Sequence, residues 1–294
     1  MCVPFFLSAI VRSFSTAFVI ALSVSLAGCT YGLRATELQS RLDTFLPADV
    51  LLLGEQHDAP QHQMLQQQIV EALAARGVLA AVALEMADIG YSTAALRPDA
   101  NEEQARTALQ WNNDAWPWAA YGSAVMSAVH AGVPVLGANL PRAQMQRSMA
   151  DAQLDQRLPG PALKAQQQLI RQGHCDLLPE SQITPMTRIQ IAKDMRMADT
   201  VKAAVRPGQV VVLISGSVHA DKLLGVPQHL PSALRVKSIR LRSGTAGTER
   251  ESFDGVWLTP ATPDKDYCAQ LKSQIGKKTR YQAPENDPPS INRF

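Results

Sequence analysis

Four apolar runs punctuate the chain, at residues 50–53, 78–86, 133–136 and 210–214. Each has the length of a strand, and unbroken rather than alternating hydrophobicity marks strands buried on both faces. A weaker, alternating run spans 234–241. Between the runs the apolar period lengthens to that of helices. After the first run, Met64, Leu65, Ile69, Val70 and Leu73 mark a helix that stops at Arg76-Gly77, a charged last turn and a C′ glycine. Asp58 with Gln61 has capping-box spacing at its start, and Pro60 suits a first turn. Thr36 with Gln39 repeats that spacing and opens a short helix carrying Leu38, Leu42, Phe45 and Leu46, ended by Pro47. A helical pattern covers 99–131, with Glu102, Glu103 and Gln104 in a first turn after Asn101. Residues 143–205 form an almost continuous helical stretch, broken at 159–161 and 179–185.

This alternation predicts an α/β fold: a parallel sheet flanked by helices, with a smaller all-helical insertion at about 143–205 capping the sheet. The domain is expected over 49–275, preceded by a tether and short helix at 29–48. Past Thr245 the sequence turns polar, and 276–294 is expected to be a mobile tail. No fixed-period repeat is present.

Composition adds bounds. The 294 residues are 46% hydrophobic and 18% charged, ordinary for a globular chain, and the formal net charge is +2 without basic clustering except at Lys277-Lys278. No nucleic-acid partner is implied. Arg12 is the only charge before residue 34, and the apolar stretch 14–27 is too short to span a bilayer comfortably. It ends Leu26-Ala27-Gly28-Cys29, which looks like a bacterial lipobox. Residues 1–28 are therefore expected to be a lipoprotein signal peptide, with Cys29 carrying the lipid. An ordinary signal peptide cut near Ala27, or an uncleaved anchor, is the alternative. Cleavage would remove Arg12 and leave +2 − 1 = +1. Thr30 after the cysteine favours an outer-membrane lipoprotein facing the periplasm. With Cys2 removed and Cys29 lipidated, Cys175 and Cys268 remain in an oxidising compartment, where a disulfide is favoured over a catalytic thiol.

Chemistry gathers at the strand ends. The first run is followed by Glu55 and His57, the second ends on Glu85, the third leads to Asn139 and Arg142, and the fourth to His219. The strands of a parallel sheet share one carboxyl edge, so these groups are expected to converge, with Glu55 and His57 facing His219. His62 shares the helical phase of Leu65, Ile69 and Leu73 and should point inward near the same end. Two imidazoles and two carboxylates, Glu55, His57, Glu85 and His219, suit a divalent metal such as Zn, Mn, Fe or Co completed by water. Without metal, His57 would serve as general base with Glu85 tuned by burial. Glu85 could instead be bridged structurally by an arginine such as Arg142. Trp111, Trp116, Trp118 and Tyr121 crowd one segment, as helix packing or as the lining of an apolar pocket. Gln190, Asp194 and Met197 form a polar stripe most simply assigned to a solvated helix face.

Taken in order and spacing, Gly54-Glu55-Gln56-His57-Asp58 with His62, Leu84-Glu85-Met86, Asn139-Leu140-Pro141-Arg142, and Gly216-Ser217-Val218-His219 with Gly225-Val226-Pro227 resemble the ChaN-like haem-binding lipoprotein family. That family groups with the Tiki and TraB proteins and the erythromycin-esterase-like enzymes. The resemblance covers roughly 49–230, together with His174-Cys175 and Asp194-Met195-Arg196-Met197-Ala198. It implies an EreA/ChaN-like α/β domain with a smaller helical part, and haem or iron uptake at the bacterial envelope. Haem would be held between the subunits of a homodimer, with an outer-membrane haem receptor as a possible partner. A tyrosine is the expected iron ligand; Tyr121 is the candidate, with His62 and Arg142 beside the haem. Tiki-type relatives imply an alternative, a metal-dependent hydrolase or protease. Its centre would be the paired G-x-x-H motifs ending at His57 and His219 with the glutamates Glu55 and Glu85.

Overall fold

The computed structural model of the chain describes residues 33–245 and 252–280, the last helix having described side chains only to 273. Residues 1–28 and Cys29, expected to be signal peptide and lipid site, lie outside them, as do 281–294 of the expected tail. Six strands form one parallel sheet in the order β3-β2-β4-β1-β5-β6. They are β1 (Val50–Glu55), β2 (Leu79–Asp88), β3 (Val135–Asn139), β4 (Val210–Gly216), β5 (Val236–Ser243) and β6 (Gly255–Thr259). The central pair is β1 and β4, whose register aligns Glu55 with Gly216. The two G-x-x-H motifs therefore leave the sheet side by side.

Side-chain alternation divides β1 between two layers. Leu51 and Leu53 join a core with Ile69 and Leu73 of α2 (Pro60–Ala75) and Val125 and Val129 of α4 (Trp118–His130). Val50 and Leu52 face the other way, onto Met197, Ala198 and Val201 of the 25-residue α7 (Glu180–Ala204). The helical insertion comprises α5 (Arg142–Ala150), a 3-10 turn at Ala152–Gln156, α6 (Gly160–Gly173) and α7. Apolar clusters hold it together, one joining Leu140, Leu154, Leu158 and Ile191 and another Ile170, Ile183, Met186 and Ile189. No helix among the described residues is long and apolar enough to cross a membrane.

Several local expectations are corrected. The first helix, α1 (Ala35–Asp43), is capped by Arg34 rather than Thr36, and Leu38 N–H already bonds Arg34 O at 2.9 Å. Asp58 does not cap α2; Ala59 occupies that position, and Asp58 accepts instead from Lys265 Nζ at 3.1 Å and from the Tyr267 hydroxyl. The pattern at 99–131 is two helices, α3 (Glu102–Ala108) and α4. Pro117 opens α4, and Asn112 Oδ1 accepts from the Asp114 and Ala115 amides, a side-chain turn that competes with helix. Strand β6 falls where only polar sequence was expected, because a short edge strand needs little apolar surface. Its buried residues are Trp257 and Thr259 alone. The expected tail begins late: α8 (Tyr267–Arg280) runs past residue 276.

Helix α8 is held at its start. Cys268 forms a disulfide with Cys175, in the turn after α6, closing a sequence separation of 93 residues. Beside it, Tyr267 and Lys265 bond Asp58 on the turn after β1. The beginning of α8 is thereby tied to both the sheet edge and the insertion. Replacing both cysteines with serine is expected to lower the unfolding free energy by on the order of 3 kcal/mol, since the loop closed is long. Urea denaturation of the variant and of the disulfide-bonded chain measures this, and equal midpoints would refute it.

Candidate functional site

Glu55, the last residue of β1, is buried and pinned by four donors. Its Oε1 accepts from His57 Nδ1 at 2.7 Å and from the Tyr121 hydroxyl at 2.6 Å, and its Oε2 from Gln63 Nε2 at 3.2 Å and Gln66 Nε2 at 2.5 Å. Both glutamines come from α2 and the tyrosine from α4. The His57 ring meets Trp116 edge-on, with centroids 4.8 Å apart. Among the described residues its Nε2 has no hydrogen-bond partner, and it lies 3.8 Å from Glu85 Oε2. Glycine is required at 216, since a Cβ there would stand 2.9 Å from that nitrogen.

Glu85, on β2, is equally occupied. Lys193 Nζ lies 2.7 Å from its Oε1 and His219 Nε2 3.2 Å, and the Gly216 amide donates to its Oε2 at 2.8 Å. His219 in turn meets Asp194 Oδ1 through Nδ1 at 2.5 Å, and the Gln190 amide stands 3.0 Å from its Nε2. Gln190, Lys193 and Asp194, spaced i, i+3, i+4, share one face of α7 turned into the sheet edge. Gly225 lets the β4 turn fold back, since a Cβ there would collide with the His219 carbonyl oxygen.

Electrostatics follow from this packing. Burial would lower the His219 pKa, but Glu85 and Asp194 outweigh it and raise it to about 9, so the ring is an imidazolium at neutral pH. Burial pushes Glu85 up, yet Lys193 and then His219 hold it well below the usual carboxylate range. Burial raises Asp194, with His219 opposing. For His57 burial is outweighed by the Glu55 hydrogen bond and charge, and its pKa is raised. Tyr121, buried beside Glu55, is driven well above its ordinary value and stays a phenol.

The structure thus gathers Glu55, His57, Glu85 and His219 at one edge, with Glu85 between the two rings. Lys193 Nζ and His219 Nε2 both meet Glu85 Oε1, so this carboxylate already has two partners of its own. Among the described residues no group of three or more His, Cys, Asp and Glu has the geometry to hold a metal ion. The buried partner of Glu85 is Lys193, not Arg142. The polar stripe of α7 is no solvated face either: Asp194 is 1% exposed. His62 points inward but serves structure, taking the Gln56 amide on Nδ1 at 3.0 Å and Thr259 Oγ1 on Nε2 at 3.1 Å, and burial lowers its pKa to about 4. Asn139 Oδ1 accepts from the Leu140 amide at 3.0 Å.

A cleft of about 570 Å³ opens above the pair of G-x-x-H turns. Ala115, Trp116, Pro117 and Ala120 form its apolar wall, Glu55, His57 and Tyr121 its floor, and Lys265, Tyr267 and Gln270 of the α8 end its mouth. Neither His62 nor Arg142 lines it. Tyr121 is only 2% exposed and its hydroxyl is committed to Glu55, whereas Tyr267 is 38% exposed.

Residues 42–230 match the model of a family described as haem-binding uptake, Tiki superfamily, ChaN. A comparison with curated proteins finds no match. Among solved structures, ChaN of Campylobacter jejuni with cofacially bound haem is similar at 26% identity and a TM-score of 0.61, covering 71% of this chain and 87% of that one. A mutant of the erythromycin esterase EreC in its open conformation is more distant at 14% identity and a TM-score of 0.42, covering 72% and 74%. The type III effector HopBA1 is comparable, at 13% identity and 0.43, covering 76% and 94%.

The charge network predicts a pH dependence. A histidine raised from 6.5 to about 9 contributes stability that is complete below pH 6.5 and lost as pH rises through about 9. That contribution is on the order of 3 kcal/mol. Urea midpoints taken across this window should fall with rising pH in the native chain and much less in His219→Gln; parallel profiles would show that His219 is not the titrating group.

Proposed function

Because the chain belongs to the ChaN family of haem-binding uptake proteins in the Tiki superfamily, we propose that it binds haem in the cleft over the strand ends and serves haem or iron uptake at a bacterial envelope. The observation that carries this is the cleft itself: about 570 Å³ with an apolar aromatic wall on one side and a polar mouth of Lys265, Tyr267 and Gln270 on the other, Lys265 being paired with Asp58. A flat macrocycle with a polar edge suits that division, its ring against Trp116 and Pro117 and its edge toward the mouth. Bound haem supplies an iron that takes an anionic oxygen or an imidazole as axial ligand. Tyr267 is the phenol we assign to it, because it is exposed at the mouth of the cleft where Tyr121 is buried, although its hydroxyl must first leave Asp58. Tyr121 supports the floor by holding Glu55, which in turn orients His57. The buried charge network positions the two turns that carry the floor.

The finer parts of the proposal rest on the sequence and on the relative. Cofacial haem in the C. jejuni protein supports two copies of this chain meeting mouth to mouth. The Leu26-Ala27-Gly28-Cys29 motif supports a mature chain lipidated at Cys29 and held at the outer membrane facing the periplasm, near an outer-membrane haem receptor.

Hemin titration of the 31–294 unit tests the proposal. A saturable Soret shift is expected. Tyr267→Phe should weaken binding about tenfold or more, equivalent to about 1.4 kcal/mol, and alter the spectrum. Tyr121→Phe should leave the spectrum as it is. Absence of a saturable shift refutes haem binding, and sensitivity to Tyr121 instead of Tyr267 refutes the ligand assignment.

A further inference from the structure

Away from the cleft, on the opposite side of α7, a second hollow of about 310 Å³ opens within the helical insertion. Three arginines from separate elements line it: Arg147 on α5, Arg157 after the 3-10 turn, and Arg196 on α7. Leu140, Leu154 and Ala192, all buried, belong to its lining, and Gln144, Ser148 and Gln153 add neutral hydrogen-bonding groups.

Several arginines elsewhere in the chain find carboxylates: Arg76 with Asp43, Arg171 with Glu180, Arg188 with Asp155, Arg235 with Asp49. Around this hollow the carboxylates are already used. Asp155 takes two bonds from Arg188, at 2.9 and 2.7 Å, and Asp151, which lines the hollow, has its Oδ1 on the Gln153 amide at 3.0 Å. Arg147 and Arg157 make no ion pair or side-chain hydrogen bond among the described residues, and Arg196 has only a 3.4 Å contact with Asp199. Three guanidiniums against Asp151 and Asp199, the latter shared with Lys202, leave an excess of positive charge in a concave, partly apolar setting. Holding like charges together costs free energy unless an anion is taken up.

We propose that this hollow is a binding site for a phosphate group, free or carried by a small molecule or lipid headgroup. A lone carboxylate is satisfied by one guanidinium fork, whereas a tetrahedral phosphate offers oxygens in enough directions for three. The site uses none of the residues of the haem cleft, so the two proposals stand or fall separately.

Isothermal titration of the full-length chain in detergent tests it, with inorganic phosphate as one probe and glycerophosphoglycerol as the other. Saturable binding to at least one, with a dissociation constant at or below about 1 mM, is expected. Arg147→Gln with Arg157→Gln should weaken it about tenfold or more, while Arg97→Gln, at an exposed pair elsewhere, should not change it. Tighter binding of inorganic phosphate identifies a free or monoester ligand; tighter binding of glycerophosphoglycerol identifies a headgroup. No saturable heat with either probe overturns the proposal, as does binding that survives the double substitution. Both replaced side chains are exposed, and an unchanged urea midpoint of the same variant verifies that the fold persists.

Discussion

A carboxylate at the end of a fully buried strand is costly, and Glu85 is tolerated because three separate parts of the chain converge on it. Lys193 reaches it from the helical insertion, His219 from the turn after β4, and the Gly216 amide from the end of β4 itself. Removing any one donor would leave charge uncompensated in a low-dielectric interior, a cost of several kcal/mol. The insertion is thus attached to the sheet by polar bonds as well as by the apolar face of α7. Those bonds fix which face of α7 turns inward, since a rotation would bury Lys193 and Asp194 without partners.

Glu55 solves the same problem differently. It recruits neutral amides, a phenol and an imidazole rather than an ammonium. His57 is oriented by it, with one nitrogen held and the other turned toward Glu85. The two carboxylates flank His57 in unlike settings, one amide-bound and one lysine-bound. Rigid support of this kind suits a binding cleft, whose floor must not rearrange as a large planar ligand enters.

Much of this was legible in sequence. The strands of the sheet interior are continuous apolar runs, and the residues just beyond them had to meet at one edge of a parallel sheet. Glu55, His57, Glu85 and His219 were found that way. Lys193 and Asp194 were missed because a polar stripe on a helix has the same spacing whether it meets water or a buried carboxylate. The available signal was that the stripe includes Met197 and runs beside Ile191 and Ala198, leaving α7 with too little solvated circumference for a surface helix. Strand β6 and the α8 end escaped for another reason: their positions depend on long-range pairing with β5 and on a disulfide, which local periodicity does not carry. Likewise sequence could not show that the Tyr121 hydroxyl bonds Glu55.

The bond between Cys175 and Cys268 closes part of the chain into a covalent ring. Inside the ring lie α7 and β4, which bring Lys193, Asp194 and His219; outside it lie β1 and β2, which bring Glu55, His57 and Glu85. Lys193 and the imidazolium of His219 therefore belong to one loop of chain, and two of the network's three carboxylates to the other. One consequence concerns backbone cleavage. A single cut anywhere from 176 to 267 would leave one covalent molecule, and only reduction would let the fragments separate covalently.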